Sequence, residues 1–207
     1  FNQSTGPIPK LEISLKPPSL KAMQRALPLI IFVIVLGMAR ILGSLNSEVL
    51  GSLQPLGALF FCGMALFGVR GIILPALAWF LTYPLTSAVQ GYSWSAQFLV
   101  PLAGFAAMVF LARYFKNARP GKVFLGSMAS AVVFYLLTNT LSWAFDPLYV
   151  KSWSGFTQAL WSGLPQYQPT WIFFRNALIS QAVFSGLFLF ATASVRANLP
   201  QAKPATA

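Results

Sequence analysis

The chain has 207 residues, of which 57% are hydrophobic and only 8% are charged. Soluble domains carry about 25% charged residues, so this composition excludes a soluble domain and predicts a helical bundle in lipid. The formal net charge is +11, but its placement along the chain, given below, argues for membrane topology and against nucleic acid. The chain has no histidine and one cysteine, Cys62, which excludes an intrachain disulfide and any histidine-ligated metal or haem.

Acidic residues are too few for common forms of catalysis. The chain has three, Glu12, Glu48 and Asp146, and a carboxylate metal site or an acid/base pair needs several that converge. The sequence also contains no nucleotide-binding glycine loop, nucleophile elbow, zinc motif or redox cysteine pair. We therefore expect no enzyme, no catalytic residue and no metal site.

Residues 1–25 predict a proline-rich, basic, extended arm. Prolines fix φ and remove backbone donors, and this stretch has no apolar run to bury. It contains Pro7, Pro9, Pro17 and Pro18. Two interpretations stay open: a solvated tail, or an arm that lies on a partner subunit or on anionic lipid. Because the first residue is Phe1 rather than Met, we expect an upstream segment, either a cleaved signal or transit peptide or a disordered start.

Six apolar segments follow, each near the roughly 20 residues that cross a 30 Å hydrocarbon core. They lie at about 26–45, 53–69, 71–88, 96–114, 123–144 and 173–195. Only a short Gly68–Gly71 link separates the second from the third, which predicts a tight helical hairpin. The predicted fold is therefore an all-α polytopic membrane protein, with a six-helix domain at 26–195 and a short disordered tail at 196–207.

Lysine and arginine fall mostly on one side of this predicted topology. The amino-terminal side holds eleven of the fourteen: Lys10, Lys16, Lys21, Arg25, Arg70, Arg113, Lys116, Arg119, Lys122, Arg196 and Lys203. The other side and the membrane interior hold Arg40, Lys151 and Arg175. By the positive-inside rule, both termini are predicted on the cytoplasmic or stromal side.

The opposite, outer side carries the aromatic residues. Five of the six tryptophans fall at or beyond outer helix ends, where the amphipathic indole prefers the interface; they are Trp94, Trp143, Trp153, Trp161 and Trp171. Within the long outer connection 146–172, Trp153, Phe156 and Trp161 share a face with Leu160 at helical spacing. This pattern predicts a short amphipathic helix that lies in the interface or folds back as a lid.

A set of polar residues is expected at similar depth, just inside the outer surface. Its members are Arg40, Asn139, Trp143, Arg175 and Asn176, and neutral hydrogen-bonding groups from Gln54, Thr82, Tyr83, Gln90 and Gln181 could join them. Buried arginines need acids, carbonyls, lipid phosphate or an anionic ligand. The residues are therefore either a structural polar cluster, with arginines that reach the outer interface, or a pocket for a polar or anionic solute that contains both arginines.

Several motifs together resemble a bacterial membrane family, domain-of-unknown-function family 6580. They are QPLGALFFCGMALFG at 54–68, ILPALAWFLTYPL at 73–85, FYLLTNTLSWAFDPLY at 134–149, GFTQALWSGLP at 155–165 and FFRNALISQAVFSGLFLF at 173–190. The resemblance covers about residues 26–192. The family pattern implies aspartates near the end of the third span and in the sixth, where this chain has Tyr83 and Gln181. The implied acidic partners of Arg40 and Arg175 are therefore replaced.

This family is in turn similar, in span number and in its short second-to-third hairpin, to the S components of energy-coupling factor vitamin transporters. That similarity implies a chain that binds a small polar or anionic solute and needs partner subunits for transport. The alternative is a non-catalytic accessory or linker subunit of a respiratory or photosynthetic membrane complex, and a third is a lipid-binding scaffold. No cofactor is firmly implied: we expect bound lipid, and pigments only within a photosynthetic complex. The expected partners are membrane lipids and other membrane subunits, without nucleic acid, in a bacterial inner membrane or an organellar or thylakoid membrane.

Overall fold

The computed structural model describes residues 34–45 except 35 and 44, residues 54–89, and residues 98–197. All regular elements in these ranges are helical, which confirms the all-α prediction there. They are α1 at residues 36–43, α2 (Leu56–Phe67), α3 (Ile73–Val89), α4 (Leu99–Ala112), α5 (Pro120–Phe145), α6 (Trp153–Leu160) and α7 (Thr170–Ala197), with 3-10 turns at Gly68–Ile72 and Arg113–Phe115. The predicted arm at 1–25, residues 26–33 of the first predicted span, and tail residues 198–207 lie outside the described residues.

α2 and α3 form the tight hairpin that the sequence predicts. α2 ends at Gly68, whose φ of 66° is a conformation that side chains rarely adopt. The chain then reverses so closely that the backbones of Gly63 and Gly71 touch: a Cβ on Gly63 would lie 2.5 Å from the Gly71 carbonyl oxygen. In one continuous helix these residues would be about 12 Å apart. The glycine pair therefore allows the two arms to pack.

Local sequence sets the ends of α5 and α6. Pro120 occupies the start of α5, where its missing N–H has no helical partner to lose. Asp146 ends α5, and its Oδ1 accepts from Leu148 N at 2.9 Å. Ser152 then caps α6 by accepting from Gly155 N at 3.2 Å. α5 and α7 each start three residues before the apolar segments 123–144 and 173–195, because regular backbone hydrogen bonding continues past the apolar run into the polar interface.

Three helical stretches in the described part of the chain are long and apolar enough to cross a membrane. They are Leu56–Val89, Pro120–Phe145 and Thr170–Ser194, and Leu99–Phe115 is apolar but shorter. The first of them is the α2–α3 hairpin, so its two arms run in opposite directions. The predicted membrane-helix character is therefore confirmed, while the count of six spans stays a prediction.

The hairpin turn, the end of α4 and the start of α5 lie at one end of the bundle. Phe61 of α2 packs against Phe115 with ring centroids 5.5 Å apart, and Phe67 packs against Phe188 of α7 at 6.1 Å. This end carries the exposed basic residues Arg70, Arg113, Lys116, Arg119 and Lys122. The other end carries the connection between α5 and α7 with its tryptophans. Within the described residues, these five cations and the tryptophans of the connection thus lie at opposite ends of the bundle, and Lys151 and Arg175 lie at the tryptophan end.

Candidate functional site

A cavity of about 320 Å³ lies between α2, α4, α5 and α7, in the half of the bundle away from the basic end. Its walls are Gln54, Leu56, Gly57, Phe105, Met108, Ala131, Phe134, Tyr135, Thr138, Asn139, Thr170, Phe173, Ala177, Ser180 and Gln181. The volume is within the range of small-molecule pockets, about 300–1,000 Å³. About half of these side chains are apolar or aromatic and the rest are neutral and polar. None of the described residues that line the cavity is charged.

Hydrogen bonds within the helices fix the orientation of the polar lining. Asn139 Nδ2 donates to the Tyr135 carbonyl at 2.8 Å, and Thr138 Oγ1 donates to the Phe134 carbonyl at 2.8 Å. The Asn139 bond uses one of the two amide N–H donors. The side chain therefore retains a donor and an acceptor for a ligand. Ser180 Oγ donates to the Gln54 carbonyl at 2.7 Å, which ties α7 to the start of α2.

A buried polar network joins the helices below the cavity. Gln181 Nε2 donates to Ser127 Oγ at 2.7 Å, and Ser127 Oγ lies 2.5 Å from Ser185 Oγ. The thiol of Cys62, which is fully buried, lies against both serines. Interhelical hydrogen bonds of this kind hold membrane helices together. Gln181 belongs both to this network and to the cavity lining. The network therefore fixes the position of one polar side chain of the cavity.

Arg40 is buried at the contact between α1 and α3 and has neutral partners. Its Nε donates to Thr82 Oγ1 at 2.7 Å, and Nη2 donates to Thr86 Oγ1 at 3.4 Å. Nη1 donates to Gln54 Oε1 at 3.2 Å. Gln54 and Thr86 approach the same arginine because the hairpin brings the start of α2 beside the end of α3. Arg40 thus adjoins the cavity through Gln54 without lining it.

Arg175 is exposed and shares no hydrogen-bonding partner with Arg40 among the described residues. Its Nε and Nη2 donate to Asn176 Oδ1 at 3.2 and 3.1 Å, and its guanidinium lies 5.5 Å from the centre of the Trp171 ring. Asn176 itself is buried. The long side chain of an arginine in the first turns of a helix can extend to the interface. Neither Arg40 nor Arg175 lines the cavity, which therefore differs from the solute pocket with both arginines that the sequence suggests.

Trp143 lies in the last turn of α5 and packs against the connection that follows, and it does not line the cavity. Its Nε1 donates to the Val150 carbonyl at 3.0 Å, and its ring packs on Phe156 at 5.3 Å. Lys151 Nζ donates to the Trp143 carbonyl and to the Asp146 carbonyl, the latter at 2.6 Å. A cation here satisfies carbonyls that the end of α5 leaves without helical partners. The fold-back after α5 is thus fixed by hydrogen bonds.

The predicted amphipathic segment is α6, and it lies next to the cavity. The Tyr135 hydroxyl, whose residue lines the cavity, donates to the Leu160 carbonyl at the end of α6. Of the three candidate lid residues, Trp153 and Trp161 are exposed and Phe156 is half-buried. Trp161 also stacks with Trp171 at 6.3 Å. The tryptophans therefore present an aromatic surface at this end of the bundle, while Tyr135 joins the segment to the cavity wall.

Comparison with known families identifies one match. The family described as a family of unknown function, DUF6580, matches residues 20–202. The chain belongs to this family. A search of curated proteins and a search of solved structures each give no match.

In this DUF6580 member, the structure divides the predicted polar cluster among three places. Asn139 lines the cavity and Arg40 adjoins it. Trp143 binds the connection between α5 and α7, and Arg175 is exposed beside the buried Asn176. Of the neutral residues considered with the cluster, Gln54 and Gln181 line the cavity, Thr82 binds Arg40, and Gln90 lies outside the described residues. Gln181 of α7, the position where the resemblance implies an aspartate, is therefore part of the cavity wall.

Sequence reasoning missed Tyr135, Thr138, Ser180 and the two serines that support Gln181. A signal for part of this set exists, because Gln181 and Ser185 are four residues apart and so share a helix face. Single hydroxyl groups in apolar helices are common, however. Only the packing of α5 against α7 shows that Ser127 completes the network.

Proposed function

We propose that this chain is a membrane-embedded binding component of the S-component-like kind, which takes up a small solute with the help of partner subunits. The observation that carries the proposal is the 320 Å³ cavity with neutral amide and hydroxyl groups among aromatic walls. Pockets that combine an apolar lining with a few oriented polar groups are typical of small-molecule sites. No ATPase motif occurs in the sequence, so energy for transport comes from partners.

The lining favours a neutral solute over an anion. A charge transferred into an apolar site without a paired opposite charge is strongly unfavourable, and the described lining has no cation. Arg40, whose guanidinium binds the lining residue Gln54, also donates to Thr82 and Thr86. Asn139 and Gln181 instead suit a molecule with both hydrogen-bond donors and acceptors. Of the polar and anionic solutes that the sequence suggests, we therefore favour an uncharged one.

The proposed topology has six spans with both termini on the cytoplasmic or stromal side. The exposed basic residues at one end of the bundle and the aromatic connection at the other support this orientation. The proposed location is a bacterial inner membrane, or an organellar or thylakoid membrane. The cavity then lies in the outer half, beneath α6.

The first experiment is purification from native membranes in mild detergent, with mass spectrometry of the proteins and small molecules that accompany the chain. A transport component predicts a paired ATPase and coupling subunit, and a retained neutral small molecule. Ala131→Leu fills the cavity and should reduce retention at least tenfold. Ala129→Leu, on the exposed face of the same helix, is the matched control and should retain it. Equal retention by the two variants, or no small molecule at all, would contradict the proposal.

A second candidate function is an accessory subunit of a large membrane complex. The specific observation in its favour is that Arg175 is exposed beside Trp171 at the outer end, where it can contact a lipid headgroup or another chain. Any pigment in such a complex would be held by water, backbone carbonyls or a side chain such as Asn139. Arg175→Ala separates the two functions: it should leave a cavity-bound solute in place but release an accessory subunit from its complex. Recovery in stoichiometric amount with a respiratory or photosynthetic complex would favour this function.

A further inference from the structure

A second concave site lies at the basic end of the bundle, between the hairpin turn and the end of α4. It is a groove of about 660 Å³ lined by Met64, Gly68, Val69, Val109, Arg113 and Lys116. We propose that this groove binds one acidic phospholipid, with the phosphate between Arg113 and Lys116 and an acyl chain along Val69 and Val109. The proposal is independent of any solute in the cavity described above.

The cations of the groove are available for an anion. Arg113 and Lys116 are exposed, and the only acidic residue in the described part of the chain, Asp146, is at the opposite end. The Arg113 guanidinium lies 5.9 Å from the centre of the Phe110 ring, a contact that uses the face of the cation and leaves its N–H groups to face a phosphate. Arg70, Arg119 and Lys122 add positive potential at the same end. Basic residues near a membrane surface each favour anionic lipid.

The apolar half of the groove favours a lipid over a free phosphate ion. Val69 is 66% exposed and lines the groove together with the two cations. Phe110, which is 57% exposed, lies next to the groove against Arg113. Arg113 follows directly after α4, and Val109 precedes it by one turn, so apolar and cationic groups follow one another along the helix axis. This order matches a phospholipid, whose phosphate adjoins its acyl chains. A free phosphate would use the cations alone and leave Val69 and Val109 unused.

The test uses the purified full chain in a non-ionic detergent. Phosphatidylglycerol is titrated against phosphatidylcholine with the same acyl chains, and bound lipid is counted by native mass spectrometry. Wild type should retain phosphatidylglycerol in preference. Arg113→Gln with Lys116→Gln should weaken its apparent affinity by about 30-fold, from the loss of two charges near the surface. The control, Arg119→Gln with Lys122→Gln, makes the same charge change at the same end. Because neither side chain lines the groove, it should weaken the affinity less than the first double variant does.

A further variant tests the apolar half. Val69→Asn, at an exposed position in the turn, should lower the affinity for phosphatidylglycerol. In a separate competition with the wild-type protein, inorganic phosphate at millimolar concentration should not displace phosphatidylglycerol. An equal loss of affinity in the two double variants would overturn the proposal, because it would indicate a diffuse electrostatic attraction to the whole basic end. Full competition by inorganic phosphate would overturn it in favour of a simple anion site. No preference for phosphatidylglycerol, together with a cross-link from Lys116 to another protein in native membranes, would assign the groove to a protein partner instead.

Discussion

Arg40 meets the cavity through Gln54: its Nη1 donates to Gln54 Oε1 at 3.2 Å, and Gln54 is part of the cavity wall. The same guanidinium also donates to Thr82 and Thr86 of α3. It therefore links α1, the start of α2 and the end of α3, and it fixes the amide orientation of one lining residue. A buried cation can in this way orient a side chain of a neutral site without lining that site.

Arg40→Lys should destabilise the protein, because an ammonium group cannot reach three acceptors that a planar guanidinium spans. Buried hydroxyl and amide oxygens would lose their donors, at a cost of about 1–3 kcal/mol in the free energy of unfolding. Thermal unfolding in detergent measures the change. Arg175→Lys is the matched control: the side chain is exposed, so a shift below about 0.5 kcal/mol is expected. Equal shifts in the two variants would show that Arg40 does not act as this link.

Ser127→Ala should weaken the contact between α5 and α7. The Ser127 hydroxyl bonds both Gln181 Nε2 and Ser185 Oγ. Its removal leaves Gln181 Nε2 without this acceptor and leaves the Cys62 thiol beside Ser185, at a cost of about 1–2 kcal/mol. The control is Ser194→Ala, since Ser194 Oγ donates back to the Phe190 carbonyl of its own helix. We expect the free energy of unfolding of the control to lie within about 0.5 kcal/mol of the wild-type value. A Ser127→Ala variant as stable as the control would mean that the network contributes nothing.

Gly63→Ala should disrupt the α2–α3 hairpin. The added methyl group would lie 2.5 Å from the Gly71 carbonyl oxygen, which is backbone and cannot move without opening the hairpin. Overpacking of this kind costs about 1–3 kcal/mol. Gly186→Ala is the control and should raise the stability. Nothing lies within 4 Å of its added methyl group, and alanine favours a helix by about 0.5–1 kcal/mol over glycine. If both variants gained stability, the close backbone approach would be excluded.

The fold follows from sequence where local signals are strong. The Gly68–Gly71 link between two apolar runs predicted the hairpin, and the structure brings Gly63 and Gly71 together there. α6 was visible in the spacing of Trp153, Phe156 and Trp161, because aromatic residues at helical intervals are rare in a polar loop. Both features depend on residues close together in sequence.

The cavity could be predicted only in part, because it depends on which helices are neighbours. Asn139 was singled out as polar at the right depth, and Gln181 was noted, but the approach of α5 to α7 that brings them together is a long-range contact. For Arg175 the sequence left two interpretations open, a place in a solute pocket or a side chain that reaches the interface. The structure places its guanidinium at an exposed position against Trp171. Charge within a span does not by itself indicate which way the side chain points.

Tyr149 should make the protein less stable at alkaline pH. Burial, together with the nearby negative charge of Asp146 and the neighbouring Tyr167, raises the pKa of Tyr149 above its ordinary value. The folded state therefore favours the neutral phenol. Its stabilisation is complete below about pH 10, the unfolded pKa, and is lost as the pH rises through the folded value. Melting temperatures from pH 8 to 11 should fall less steeply for Tyr149→Phe than for wild type. Tyr114→Phe, at a 73% exposed residue, should follow wild type.

Tyr135→Phe should release α6 from the cavity wall while the bundle stays folded. The change removes only the hydroxyl that donates to the Leu160 carbonyl, and the ring keeps its stacking on Phe174 at 4.4 Å. Hydrogen–deuterium exchange should become about tenfold faster over residues 153–160, since loss of one hydrogen bond is worth about 1.4 kcal/mol at most in local opening. Exchange within α5 should not change. Tyr114→Phe again provides the control, because Tyr114 lies on the surface at the other end of the bundle. If exchange rose throughout α5 as well, the hydroxyl would be stabilising the whole bundle rather than holding α6 in place.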